Sequence, residues 1–250
     1  VVRGGKKALT IDSQKIKKKK LILFAVLILL VLGVVGFFVA RQFSSDARQQ
    51  EHFRTLDIST TPISKKERNE HTTDAKRPRY IHIPAVDINQ ARILALGVKD
   101  LDQSGQQQLD VPKSIDDVSW YDCQINPITE RRCAEPTLPG GGNTETAAIL
   151  TGHTCFSRSM SCVFDNISKL KNNDTITIEL GDGTKLNYSV RQVETVKLED
   201  VDMAKAMRPI ESGKEGITLI TCAGTYQGAT DANGVLTADK RVLVYAVRVD

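Results

Sequence analysis

The 250-residue sequence predicts a mainly β domain, closed as a barrel or stacked as a sandwich, behind one N-terminal transmembrane helix. Three observations carry this expectation. Residues 21–40, "LILFAVLILLVLGVVGFFVA", are apolar throughout. In a helix they rise about 30 Å, the thickness of a bilayer's hydrocarbon core. From residue 79 onward, short runs rich in Ile, Val and Leu alternate with turn residues. Few helical patterns interrupt them.

Each segment follows from its composition. Residues 1–20 hold eight basic side chains against Asp12 alone, a net of +7, so the rest of the chain carries −3 within a total of +4. The main body is mildly acidic and has no basic footprint for nucleic acid. The lysine-rich "KIKKKK" ends where the apolar run begins. The positive-inside rule therefore makes 1–20 a cytoplasmic basic segment and 21–40 a transmembrane signal-anchor helix, with the remainder outside. A cleaved signal peptide would have a shorter core and small residues before the cut, whereas Phe38 stands near the end of this one. Residues 41–78 are polar and mixed in charge, and read as an extracellular stalk, helical at most near its start. His52 and His71 are expected to be solvent-exposed there.

The strand candidates are "RYIHIPAVDI", limited by Pro84, then "ARILALGV", "QQLDVP" and "AAILTGHT". The clearest hairpin is "DTITIEL", the turn "GDG" and "KLNYSVRQVETV", in which Ile176, Ile178 and Leu180 alternate. "GITLITC" and "RVLVYAVRV" complete seven or eight strands. "VFDNISKL" suggests one or two helical turns, and "DVDMAKAM" a short helix closed by Pro209.

Five cysteines cannot all pair. In an exported domain Cys123 with Cys133 and Cys155 with Cys162 would each close a short loop, each contributing on the order of 2–3 kcal/mol by the chain-entropy model. Four cysteines allow other connectivities. Zinc is a rival reading because His153 lies two residues before Cys155, but the spacing matches no standard finger. No metal or other cofactor is expected, and no carboxylate cluster reads as a calcium site.

Cys222 is left over. A buried thiol in a core strand is the plain alternative. However, Cys222 ends its strand and is followed by the small residues of "AGTYQG", which opens space around the sulfur. A thiol needs a base to act as a nucleophile. His82 lies within a strand and reads as structural, whereas His153 ends one after Gly152. Acyl transfer also needs a donor for the oxyanion, and Arg241 and Arg248 in the last strand are candidates.

"TGHT" with His153, "TLITC" with Cys222 and an arginine opening the last strand together resemble the sortases, cysteine transpeptidases of Gram-positive-type cell surfaces. The resemblance spans residues 79–250, with "IHIPAVDINQARILALGV" similar to the family's first strands and "VFDNISKLKNNDTITIEL" to its segment after the histidine. It implies a closed eight-stranded sortase-type β-barrel with a few short helices. Cys222 would be the nucleophile, His153 the proton donor and acceptor, Arg241 the oxyanion partner and Thr221 a substrate-holding residue. The implied substrates are LPxTG-like surface-protein precursors, cleaved between Thr and Gly and passed to a peptidoglycan-precursor amine or a pilin lysine. The stretch 221–241 is loosely similar to the actinobacterial-type classes E and F. "LPGGG" at 138–142 lacks the threonine of a sorting signal and reads as a loop. A cell-wall cysteine hydrolase and a non-enzymatic anchored adhesion domain are the competing functions.

Overall fold

The computed structural model describes residues 7–97, 110–122, 138–156, 160–226 and 237–250. The chain forms two compact units, Val1–Ser44 and Ser45–Asp250. Helix α1 runs from Lys7 to Thr55. Within it Lys20–Ala40, 21 residues, is long and apolar enough to cross a membrane, and none of it is buried.

Eight strands close a barrel: β1 (Pro78–Ile83), β2 (Ile88–Leu96), β3 (Val118–Tyr121), β4 (Ala148–Gly152), β5 (Thr175–Leu180), β6 (Lys185–Lys197), β7 (Gly216–Ala223) and β8 (Lys240–Arg248). Their order around the barrel is β1-β2-β3-β4-β7-β8-β6-β5. The β2–β3 and β4–β7 pairs are parallel and the others antiparallel. Alternation explains the closure, because every second side chain of each strand points inward. Ile81, Ile83, Ile93, Val118, Trp120, Leu150, Ile176, Ile178, Tyr188, Leu219 and Val244 fill one continuous core. The expected hairpin is present, with Ile178 opposite Leu186. Pro84 ends β1 as anticipated and opens a single 3-10 turn.

The eight-stranded count holds, but one strand differs. Residues 110–112 of "QQLDVP" are not extended into a ladder, and the other residues of that run up to 109 lie outside those described. The missing strand is β3, "VSWY", whose four residues are too short to show alternation. Helix α3 (Met203–Ala206) and a 3-10 turn at Ile167–Lys169 match the two short helical patterns.

The polar segment after residue 41 differs more. The compact unit starts at Ser45, so most of the expected stalk is built into the domain. Phe53 and Ile58 pack with Ile115 and Cys162 in a small separate cluster. Burial of a phenylalanine stabilises by about 1.5–3 kcal/mol. Ser59 bridges to Ser114, and α2 (Lys65–Glu70) is closed by a Ser64–Glu67 capping box. His52 and His71 are not solvated side chains. His71 bonds the Ile93 carbonyl through Nε2 at 3.1 Å and packs edge-on against Tyr80, while His52 packs on Tyr226.

Candidate active site

Strand register assembles the three residues expected to carry chemistry. In the β7–β8 pair Cys222 stands directly opposite Arg241. The parallel β4–β7 register pairs Leu150 with Leu219 and Thr151 with Ile220. Continued two residues, it sets His153 beside Cys222. Ile149 on β4, Ile220 on β7, and Leu243 and Tyr245 on β8 share an apolar cluster outside the main core, beneath Ala206 of α3. By alternation His153, Cys222 and Arg241 extend from the same outer face. The barrel thus lines up an imidazole just past β4, a thiol on β7 and a guanidinium on β8.

His153 is partly buried. Its Nε2 lies 2.8 Å from the Pro112 carbonyl, which only accepts, so Nε2 carries the proton and Nδ1 is the acceptor in the neutral ring. Burial lowers its pKa below the ordinary histidine value, with the Pro112 carbonyl and Asp117 opposing. Asp117 itself accepts from Arg92 Nε and Nη2, each at 2.8 Å. The Phe53 ring meets the imidazole edge-on, 5.4 Å between centroids. Gly152, just before, is required by packing. A Cβ there would come within 2.7 Å of the Phe164 ring.

Cys222 is a half-buried free thiol, so the plain alternative of a fully buried core thiol does not hold. The turn after it needs Gly224, at φ +84, where a Cβ would fall 2.0 Å from Asp239 Oδ1. Tyr226 follows, and burial pushes its hydroxyl's pKa up; nearby Cys222 adds to this, while a hydrogen bond from Gln49 and the charge of Arg241 oppose it. Arg241 donates through Nη1 to the Ala238 and Lys240 carbonyls at 2.9 and 2.8 Å. Its Nη2 donates to Thr237 Oγ1 at 3.2 Å. The guanidinium plane is therefore fixed from the strand's own approach.

Thr221, the residue the resemblance assigns to holding substrate, packs between β7 and β4. It is 4% exposed and lies on the opposite face of β7 from Cys222. Its hydroxyl donates to the Gly152 carbonyl at 2.7 Å and lies 2.6 Å from the Thr154 hydroxyl. It ties β7 to the end of β4 instead of reaching outward.

The Cys155–Cys162 disulfide is present. Asp165 accepts from the backbone N–H of both half-cystines, at 2.6 and 2.9 Å. The three form a cluster of potential metal ligands, but the sulfurs bond each other and His153 Nε2 is turned to Pro112. Cys123 and Cys133 lie outside the described residues. His82, expected to be structural, lies beside Asn89 and Glu179. Arg248 sits at the far end of β8, against Glu215 and Asp250.

One contributor went unread in the sequence. Gln49, His52, Phe53 and Leu56 are spaced i, i+3, i+4, i+7 along α1 and share a helix face. That face packs beside His153 and Tyr226. The spacing was visible, but with only two apolar residues it looked like a solvated helix.

Residues 81–249 match the family model described as "Sortase domain". Among solved structures, the chain is similar to sortase C from Clostridium perfringens SM101, at 20% identity over 84% of this chain and 90% of that one, TM-score 0.41. It is similar to sortase C1 from Streptococcus agalactiae, at 22% identity over 83% and 89%, TM-score 0.44. It is also similar to a lid mutant of sortase A from Corynebacterium diphtheriae, at 22% over 82% and 94%, TM-score 0.41. No curated protein matches. Membership rests on the family match, which covers more than half of the sequence, including β4 with the His153 that follows it and β7 with Cys222. The chain belongs to the sortase family, a family of cysteine transpeptidases.

Proposed function

We propose that the chain is a membrane-anchored transpeptidase that cleaves an LPxTG-like sorting signal between Thr and Gly and joins the protein to a cell-surface amine. The observation that carries this reading is the register that puts Cys222 opposite Arg241 and in line with His153. The Cys222 thiolate attacks the threonine carbonyl carbon. Arg241 stabilises the oxyanion. The C–N bond breaks as the protonated His153 gives its proton to the leaving glycine amine, leaving a thioester on Cys222. An incoming amine then attacks the thioester, loses a proton to His153, and releases the thiolate as the new amide forms. With Nε2 occupied by the Pro112 carbonyl, proton traffic runs through Nδ1.

The Lys20–Ala40 span and the lysines before it favour an uncleaved single-pass anchor, with the N-terminus in the cytoplasm and the catalytic unit outside. The acceptor is an amine of a peptidoglycan precursor or a pilin lysine.

The test incubates the full chain, kept oxidised, with an LPxTG-type peptide and an amine, with Cys222→Ala as control and products read by mass spectrometry. Cleavage after threonine with the amine attached bears the proposal out. Cleavage with water alone as acceptor makes the protein a hydrolase. No thioester on folded protein across several peptide variants overturns the reading and returns an adhesion role.

A further inference from the structure

Gln49 has no accessible surface, although it lies in a polar stretch of α1. An apolar side chain could fill such a space without losing hydration, so a buried carboxamide is stabilising only through the bonds it makes. Gln49 uses both ends of its amide. Nε2 donates to the Thr154 carbonyl at 2.7 Å and Oε1 accepts the Phe156 N–H at 2.8 Å. The carboxamide therefore pairs with the loop after β4 as a neighbouring strand would. The Tyr226 hydroxyl is close enough that Gln49 acts against burial to lower its pKa. Arg48, beside it, donates to the Tyr226 carbonyl at 2.9 Å. Thr154 directly follows His153, and Tyr226 lies four residues beyond Cys222. Phe53, one helical turn past Gln49, meets the imidazole itself.

We propose that Gln49 is a positioning residue of the transpeptidation site: its carboxamide clamps the loop that follows the base and the tyrosine that follows the nucleophile, so that the end of α1 sets how His153 and Cys222 face each other. Gln49 touches neither reacting atom. It acts through Thr154, Phe156 and Tyr226. This deepens the transpeptidase reading and rests on it.

The test uses the full chain carrying Gln49→Met, which keeps length and approximate volume and removes every hydrogen bond. A misplacement of about 1 Å can cost up to about 100-fold in rate, so kcat is expected to fall roughly 10- to 100-fold with KM within about twofold. In parallel, the His153 imidazole is titrated by NMR in the absence of peptide. In the variant its pKa is expected to move back toward the ordinary histidine value as the ring loses its fixed burial. Gln49→Glu is the second variant. It keeps the acceptor for Phe156 but sets an oxygen against the Thr154 carbonyl, and is expected to change both readouts in the same direction. Folded variants whose kcat and imidazole titration match wild type overturn the proposal, as does a loss lying wholly in KM. Loss of the fold in both variants also overturns it, since Gln49 would then be a core residue and nothing more. If wild type turns over no sorting-signal peptide, the transpeptidase reading fails, while a shifted His153 titration still bears out the clamp.

Discussion

The two ends of β7 are held in opposite ways. At its start, Glu215 accepts from the N–H groups of Gly140 and Gly142 at 2.6 and 3.1 Å. It also takes the Tyr188 hydroxyl and, at 3.4 Å, the Arg248 guanidinium. This clamp seats the "LPGGG" loop, with Gly140 at φ +82 and Gly142 at φ +75, so the five residues that imitate part of a sorting signal are a structural loop. At the other end, the contacts that secure Thr221, Thr154 and Phe156 are hydroxyls and a carboxamide without charge. A fixed charge beside a thiol and an imidazole biases their protonation. Here that charge is the Arg241 guanidinium, opposite Cys222 on β8, while the Glu215 clamp lies at the other end of β7.

The sharpest test of that contrast is at the reactive end. Cys222→Ala is expected to remove at least about 10³-fold of peptide turnover, because Cys222 is the group that would carry the thioester. Its thermal unfolding should match wild type, since the thiol is only half buried.

Next in size are the partners of Cys222. His153→Ala and Arg241→Ala are each expected to reduce kcat/KM by about 10²–10⁴-fold, the range for a proton-transfer group or an oxyanion donor. Arg241→Lys keeps the charge but loses the planar set of bonds to Ala238, Lys240 and Thr237. It should recover only part of the rate, as steady-state kinetics on one peptide would show.

At the far end the expectation reverses. Glu215→Ala leaves two backbone N–H groups and the buried Tyr188 hydroxyl without their acceptor, and should lower unfolding free energy by about 2–4 kcal/mol in urea titration. At a temperature where the variant is folded, kcat should be little changed. A large kcat loss there would mean the two ends of β7 are not independent.

The smallest effect is in the pH dependence of stability. Burial depresses the His153 pKa in the folded state. The unfolded chain therefore binds the proton first as pH falls below the ordinary value of 6.5. The stability tied to the neutral ring is present above that pH and is lost as pH falls toward the folded value. His153→Gln should flatten the acid side of the stability profile between those limits, measured as melting temperature against pH.

Much of the fold is legible in the sequence. Strong alternation marked β5 and β6, continuous apolar runs marked β7 and β8, and Pro84 marked where β1 ends, because each of these is a local property of the chain. β3 was missed because four residues carry no period, and its place is set by parallel pairing with β2 and antiparallel pairing with β4. The site was legible through Gly152–His153, Thr221–Cys222 and Arg241 at their strand ends. Which face Thr221 takes was not legible, because it is set by the pleat and register of β7, which put it on the side away from Cys222.

Local sequence was enough to specify seven of the strands, an apolar span, the Cys155–Cys162 pairing and the candidate side chains near strand ends, since periodicity, hydropathy and residue chemistry are all short-range. Only the tertiary structure decided which strands pair, and with them the row of His153, Cys222 and Arg241. It also decided that residues 48–58 belong to the domain. Burying Gln49 and Phe53 depends on residues 100 or more positions away, and no pattern within α1 encodes a partner that distant.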